Sequence, residues 1–230
     1  MRTKLISVIC LIAICISVWQ LAVYFLAYKE EEKINLQVQQ EKIEHSYAAL
    51  TAQYEEMKAW ISIDGTKIDY PVMQSNDNAF YLNHDYKGNI LRSGSIFMDY
   101  RNAPNFTNRH TILYGHDMRN DSMFGQLSNY ANEEFATAHS TIEIMVGNEQ
   151  LIYEVVYAYE TTTEFYYIET QFTDQSYTEF LQNIQSRSLI RTSEQLSVND
   201  QLLTLSTCQS DANNQDRFVV HAKLVERNEI

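Results

Sequence analysis

Three residues far apart in the chain have side chains suited to acyl transfer: Cys208, His116 and Arg217. A thiol attacks a carbonyl only as thiolate, and with an ordinary pKa of about 8.5 it needs a cation or a base close by. Arg217 follows Cys208 by nine residues, a spacing that lets a hairpin bring the two together. His116 ends the run Ile112-Leu113-Tyr114-Gly115-His116, which leaves it at the exit of a β-strand, where catalytic groups are common. Arginine does not deprotonate near neutral pH, so Arg217 suits a clamp on a carbonyl or oxyanion rather than a base. The competing readings are plainer: a lone cysteine is often a small buried hydrophobe, and a lone histidine at a strand end a hydrogen-bonded surface residue. The six histidines, at 45, 84, 110, 116, 139 and 221, include no pair four residues apart, so neither a metal site nor a cofactor is expected.

The elements that must position these groups are short. Apolar runs broken by polar turns cover Trp60 to Ile63, Ile68 to Met73, Ser95 to Met98, Thr111 to Tyr114, Thr141 to Val146, Leu151 to Tyr159, Gln201 to Leu205 and Phe218 to Val225. Eight such runs predict a mostly β domain, a barrel or sandwich, with helical insertions at Ser122 to Tyr130 and Tyr177 to Ser186. Alternation sets directions within the last two strands. Phe218, Val220, Ala222 and Leu224 share the core face, which leaves Arg217, Val219, His221 and Lys223 on the other. Leu203, Leu205 and Thr207 likewise oppose Thr204, Ser206 and Cys208. Cys208 is therefore expected at a strand end on the non-core side, which weakens the buried-hydrophobe reading. Upstream, Ile43, Tyr47, Leu50, Tyr54, Met57 and Ile61 step by 4, 3, 4, 3 and 4, one face of an amphipathic helix that packs on the domain.

Charge is unevenly spread over the 230 residues, which carry 17 basic and 30 acidic groups and a mean hydropathy of −0.35. Residues 5 to 28 contain no Asp, Glu, Lys or Arg. Twenty-four helical residues at about 1.5 Å each reach roughly 36 Å, enough to cross a hydrocarbon layer of about 30 Å. The run is too long, and too bulky at Trp19, Tyr24 and Phe25, for a cleaved signal peptide, so it reads as an anchor. Arg2 and Lys4 precede it, which favours a cytoplasmic N-terminus and an extracellular domain. Once Arg2 and Lys4 are left behind, residues 29 to 230 carry 15 basic and 30 acidic groups, a charge of −15 that excludes nucleic-acid binding by bulk charge. Cys10 and Cys15 lie in the span, so Cys208 is the one thiol of the exported part and has no disulfide partner within it. The expected layout is a cytoplasmic end at 1–4, a membrane helix at 5–28, a juxtamembrane helix at 29–59 and a catalytic domain at 60–230.

Thr204-Leu205-Ser206-Thr207-Cys208, followed by Arg217 in Asp216-Arg217-Phe218-Val219-Val220-His221-Ala222-Lys223-Leu224, resembles the active-site segment of the sortases, and of class B in particular. Tyr114-Gly115-His116-Asp117-Met118 with Ser122-Met123-Phe124 is similar to the segment that carries the family's histidine. Asp77 to Leu82, Gly94 to Asn102 and the long insertion between Thr163 and Arg187 resemble class B sequence. The resemblance covers about residues 60 to 226, with its motifs in the family's order. It implies an eight-stranded sortase-type β-barrel, a catalytic set of His116, Cys208 and Arg217, and a groove for a peptide lined by Asn78, Leu82, Thr163, Tyr167, Ile168 and Ser206. Ordinary packing is the competing reading of Leu82, Tyr167 and Ile168. Gln209 and the short polar loop Ser210 to Asp216 are the least transferable part of the match.

The implied reaction is transpeptidation. A surface protein with a C-terminal sorting signal of the Asn-Pro-x-Thr or Ser-Pro-x-Thr kind, followed by Asn or Gly, is cut after Thr through a thioacyl at Cys208. It is then joined to an amine of a peptidoglycan precursor, lipid II. Two alternatives use the same residues differently: an extracellular cysteine protease with water as acceptor, and a non-enzymatic receptor domain in which Cys208 is incidental. The Thr-Leu-Ser-Thr-Cys segment and its downstream Arg argue against the receptor.

Overall fold

The computed structural model describes residues 2–44, 47–192, 194, 196–208 and 216–230, and the side chains of these except at 2–5, 43, 44 and 208. The chain divides into two compact units, Met1–Gln40 and Glu41–Ile230. The first is formed by α1 (Arg2–Glu44), which continues into the second. From Ile6 to Leu26 apolar side chains are exposed all round it, Leu11, Trp19, Leu21 and Phe25 at 60 to 67% among them. A helix with no polar face suits lipid, and Ile6–Lys42 contains a stretch long and apolar enough to cross a membrane.

The second unit is built on a closed barrel of eight strands: β1 (Met57–Ser62), β2 (Asp69–Met73), β3 (Ile96–Met98), β4 (His110–His116), β5 (Thr141–Val146), β6 (Glu149–Thr162), β7 (Leu202–Cys208) and β8 (Asp216–Glu229). Around the barrel the order is β1-β2-β3-β4-β7-β8-β6-β5. All pairs are antiparallel except β2 with β3 and β4 with β7. The eight apolar runs of the sequence correspond to these strands, and closure leaves none of them as an open edge. Ile61, Val72, Leu113, Ile144, Leu205, Phe218 and Val220 fill the interior.

A second core lies outside the barrel. The amphipathic helix α4 (Asp174–Arg187), capped by reciprocal hydrogen bonds between Thr173 and Ser176, lays Tyr177, Phe180, Leu181 and Ile184 against Val156, Tyr159, Leu202 and Val219. The alternation expected for β7 and β8 holds, but the face opposite the barrel interior is covered: Thr204, Val219 and His221 are fully buried.

Two expected helices differ. The stretch from Ile43 to Ile61 is not one helix: α2 (Tyr47–Gln53) stops short of its end, Met57 N–H donates to the Tyr54 carbonyl, and β1 begins at Met57, so the strand starts three residues ahead of the boundary expected at 60. Tyr54 sits in the connection, while Met57, Ala59 and Ile61 are buried with the period of a strand. Ser122 to Tyr130 is also not one helix. Asp121 and Met123 take φ of 64° and 52°, which helical backbone does not accommodate, and a 3₁₀ turn at Leu127–Ala131 followed by α3 (Glu133–Ala138) takes its place.

Candidate active site

Strand register brings the three chemistry-bearing residues to one level. In the β4–β7 pair His116 lies opposite Cys208, and in the β7–β8 pair Cys208 lies opposite Arg217. Three adjacent strands thus present His, Cys and Arg side by side in sequence of space, although they are 92 and nine residues apart along the chain. Gln209 and the loop 210–215 lie outside the described residues.

His116 Nε2 donates to the Leu82 carbonyl at 2.7 Å. A neutral imidazole bonded this way keeps its lone pair on Nδ1, the atom able to take a proton. Two glycines make this arrangement possible. Gly94 has φ +58°, and a Cβ there would stand 2.3 Å from the Tyr81 carbonyl oxygen and 2.7 Å from that of Leu82, the acceptor of His116. A Cβ on Gly115 would meet Ile96 at 2.5 Å and Phe124 at 2.8 Å. Arg217 is half-buried at the start of β8, and its Nη1 donates to the Asp216 carbonyl at 2.7 Å.

A cavity of about 290 Å³ opens beside this row. His116, Arg217 and all six residues expected in the groove, Asn78, Leu82, Thr163, Tyr167, Ile168 and Ser206, line it. Its floor is β4 and β7; one wall carries Asn78 and Leu82, and the other is the irregular segment from 163 to 168. Tyr167 and Ser206 are buried and joined by a 2.7 Å hydrogen bond between their hydroxyls. Phe97, Tyr114, Phe165 and Tyr166 add an aromatic lining that the sequence reading did not assign. The position of Tyr114 two residues before His116, on the same face of one strand, was the available signal.

Beneath the cavity, the outer face of β7 is wired to two buried histidines. Glu169 O, His110, Thr204, His221 and Tyr159 form one chain with contacts of 2.6, 2.6, 2.7 and 2.8 Å. A carbonyl only accepts, so His110 Nδ1 carries hydrogen and its Nε2 accepts from Thr204. The Thr204 oxygen then accepts from His221 Nδ1–H, and His221 Nε2 accepts from Tyr159. With both rings neutral, every group in the chain is satisfied. Burial agrees: it pushes the His110 pKa down to about 4, and that of His221 well below its ordinary value. Among the described residues no cluster of His, Cys, Asp or Glu fits a metal ion.

Residues 61–225 match the family model of the sortase domain. The chain belongs to the sortase family. It is 41% identical over 172 residues to sortase B of Listeria monocytogenes, covering 74% of this chain and 70% of that protein. Its structure is similar to sortase B of B. anthracis in complex with AAEK1 (TM-score 0.80, 41% identity, 88% of this chain and 99% of that one). It is also similar to a Staphylococcus aureus sortase B–substrate complex (TM-score 0.75, 35% identity, 86% and 94%). This sortase is a cysteine transpeptidase of the sortase B type, built on the expected eight-stranded barrel.

Proposed function

We propose that this sortase cleaves a C-terminal sorting signal after threonine and transfers the surface protein to an amine of a cell-wall precursor, with Cys208, His116 and Arg217 as its catalytic residues. The observation that carries the proposal is the shared level of the three residues across β4, β7 and β8 at the mouth of an apolar cavity. His116 Nδ1 takes the thiol proton of Cys208, and the resulting thiolate sulfur attacks the threonine carbonyl carbon. Arg217, permanently charged, holds the oxyanion of the tetrahedral adduct. The C–N bond then breaks as His116 delivers a proton to the leaving amine, which leaves a thioester. The acceptor amine attacks that thioester, His116 takes its proton, and the thiolate departs. Asn78, Leu82, Thr163, Tyr167, Ile168 and Ser206 form the groove that aligns the peptide, for which a signal of the Asn-Pro-x-Thr or Ser-Pro-x-Thr kind is expected. The acceptor in this reading is lipid II.

The layout that serves this chemistry is a cytoplasmic end at 1–4, a membrane helix at 5–28, a juxtamembrane segment and an extracellular catalytic domain. Anchored there, the enzyme meets secreted substrates and lipid-linked amines on one face of the bilayer. The test is incubation of the full chain, in detergent micelles, with a sorting-signal peptide and an amine acceptor. An amide product supports transfer, hydrolysis alone favours the protease reading, and activity persisting in Cys208→Ala overturns the mechanism.

A further inference from the structure

Asp99 follows β3, has no exposure to solvent, and does not line the cavity, yet both cavity walls are tied to it. Its Oδ2 accepts from Tyr114 OH at 2.8 Å, from Asn78 Nδ2 at 2.9 Å and from Arg101 Nη2 at 2.7 Å. Its Oδ1 accepts from the Arg101 backbone N–H at 3.0 Å and from Arg101 Nε at 2.8 Å. Arg101 then reaches the opposite wall: Nη2 donates to the Ile168 carbonyl at 2.8 Å and Nη1 to Tyr166 OH at 3.1 Å. Burial alone would raise the Asp99 pKa, but the donors of Arg101, with Tyr114 and Asn78, outweigh it and hold the carboxyl below its ordinary value.

We infer that Asp99 and Arg101 are a positioning pair that sets the spacing and the hydrogen-bonding polarity of the sorting-signal groove. The inference rests on the groove assigned under the proposed function. The segment from 163 to 168 has no ladder partner on this side, so the Arg101 fork supplies the backbone anchor that a strand would otherwise give. On the facing wall Asp99 fixes the Asn78 amide. Nδ2 points to the carboxylate and Oδ1 accepts the Tyr100 N–H at 3.0 Å, so a flipped amide would set two acceptors against each other. Tyr114 spends its hydrogen on Asp99 and offers the groove only an acceptor. Peptide recognition is thereby set by a pair that touches neither the peptide nor the row of His116, Cys208 and Arg217.

The test uses the full chain in detergent micelles with two internally quenched peptides, containing Asn-Pro-Ala-Thr-Asn or Ser-Pro-Ala-Thr-Gly, and the faster one for wild type. Arg101→Ala is expected to raise KM at least tenfold while kcat stays within threefold. The rate at which iodoacetamide alkylates Cys208, a small reagent needing no groove, stays unchanged. Arg101→Lys keeps the charge beside Asp99 but not the fork, so it recovers only part of the loss; it also carries the test if Arg101→Ala does not fold. An unchanged KM in both variants overturns the inference, as does a fall in kcat accompanied by slower alkylation. Asn78→Ala separates the two levels of the argument. If it raises KM while the Arg101 variants do not, the positioning role fails alone. If wild type cleaves neither peptide, or no variant moves KM, the groove assignment fails and the inference with it.

Discussion

Acidification from pH 7 to pH 5 should strip the barrel of about 2 kcal/mol through His110, buried behind β7, with a further loss in the same direction through His221. Unfolded, each imidazole titrates near 6.5, whereas folding holds His110 at about 4 and His221 well below its ordinary value. The folded pKa values are depressed, so between about 6.5 and 4 the unfolded chain binds protons that the folded chain refuses. Stability is complete above that window and falls as pH drops through it. At about 1.4 kcal/mol per unit, a pH some 1.5 units below the unfolded value removes about 2 kcal/mol for His110, out of a total stability of roughly 5–15 kcal/mol, and His221 adds to the loss in the same direction. Trp60, buried in β1, reports barrel unfolding in urea once Trp19→Phe has removed the other tryptophan. His110→Gln retains an acceptor for Thr204 and a donor for the Glu169 carbonyl but does not titrate, so it should reduce the pH slope. A free energy that stays flat from pH 7 to pH 5, or a slope in His110→Gln equal to that of wild type, refutes the assignment of two neutral rings.

Thr204→Val keeps the shape of the side chain but orphans His110 Nε2 and His221 Nδ1, and at about 1–3 kcal/mol for each buried polar group it should destabilise by about 2–6 kcal/mol in the same urea assay, whereas Thr204→Ser should cost less than half of that. Gly94→Ala forces a side chain onto the Tyr81 and Leu82 carbonyls, so kcat/KM for transfer should fall at least tenfold by loss of the acceptor that orients His116. Cys208→Ala, His116→Ala and Arg217→Ala should each abolish transfer in the peptide assay. His116 and Arg217 lie at strand ends outside the barrel core, so unfolding free energies should stay within about 1 kcal/mol of wild type.

The eight strands were legible because each apolar run is short and bounded by polar turns, and a closed barrel hides the edges that would blur such a pattern. The error at Met57 and Ile61 has a physical origin: residues four apart lie on one side of both a helix and a strand, so that spacing cannot tell the two periods apart. Of the candidate site, the end of β7 was legible from alternation, and the residues that line the cavity from resemblance alone. The covered outer face was not. A row of Thr204, Ser206 and His221 reads as a solvent face, and only the packing of α4 and the segment after β6 reveals that it is buried and satisfied. Asp99 and Arg101 were hidden in the same way, since nothing in an Asp-Tyr-Arg sequence indicates that one carboxylate takes donors from both walls of a cavity.

Burying polar residues along the outer face of the strand that carries Cys208 is wasteful by energy alone, since each hydrogen bond there contributes only about 1 kcal/mol net. Register gives the reason. Side chains alternate with a period of two, so a slip of β7 by one residue against β4 and β8 would turn Leu203 and Leu205 toward the second core and Thr204 and Ser206 into the barrel. His110, His221 and Tyr167 would then face leucines with their polar atoms unpaired, at about 1–3 kcal/mol each, while two hydroxyls entered an interior of Ile112's neighbours Leu113, Phe218 and Val220. The same slip would carry Cys208 off the level of His116 and Arg217. The buried hydroxyls of β7 therefore penalise the misregister that would dismantle the row of His116, Cys208 and Arg217.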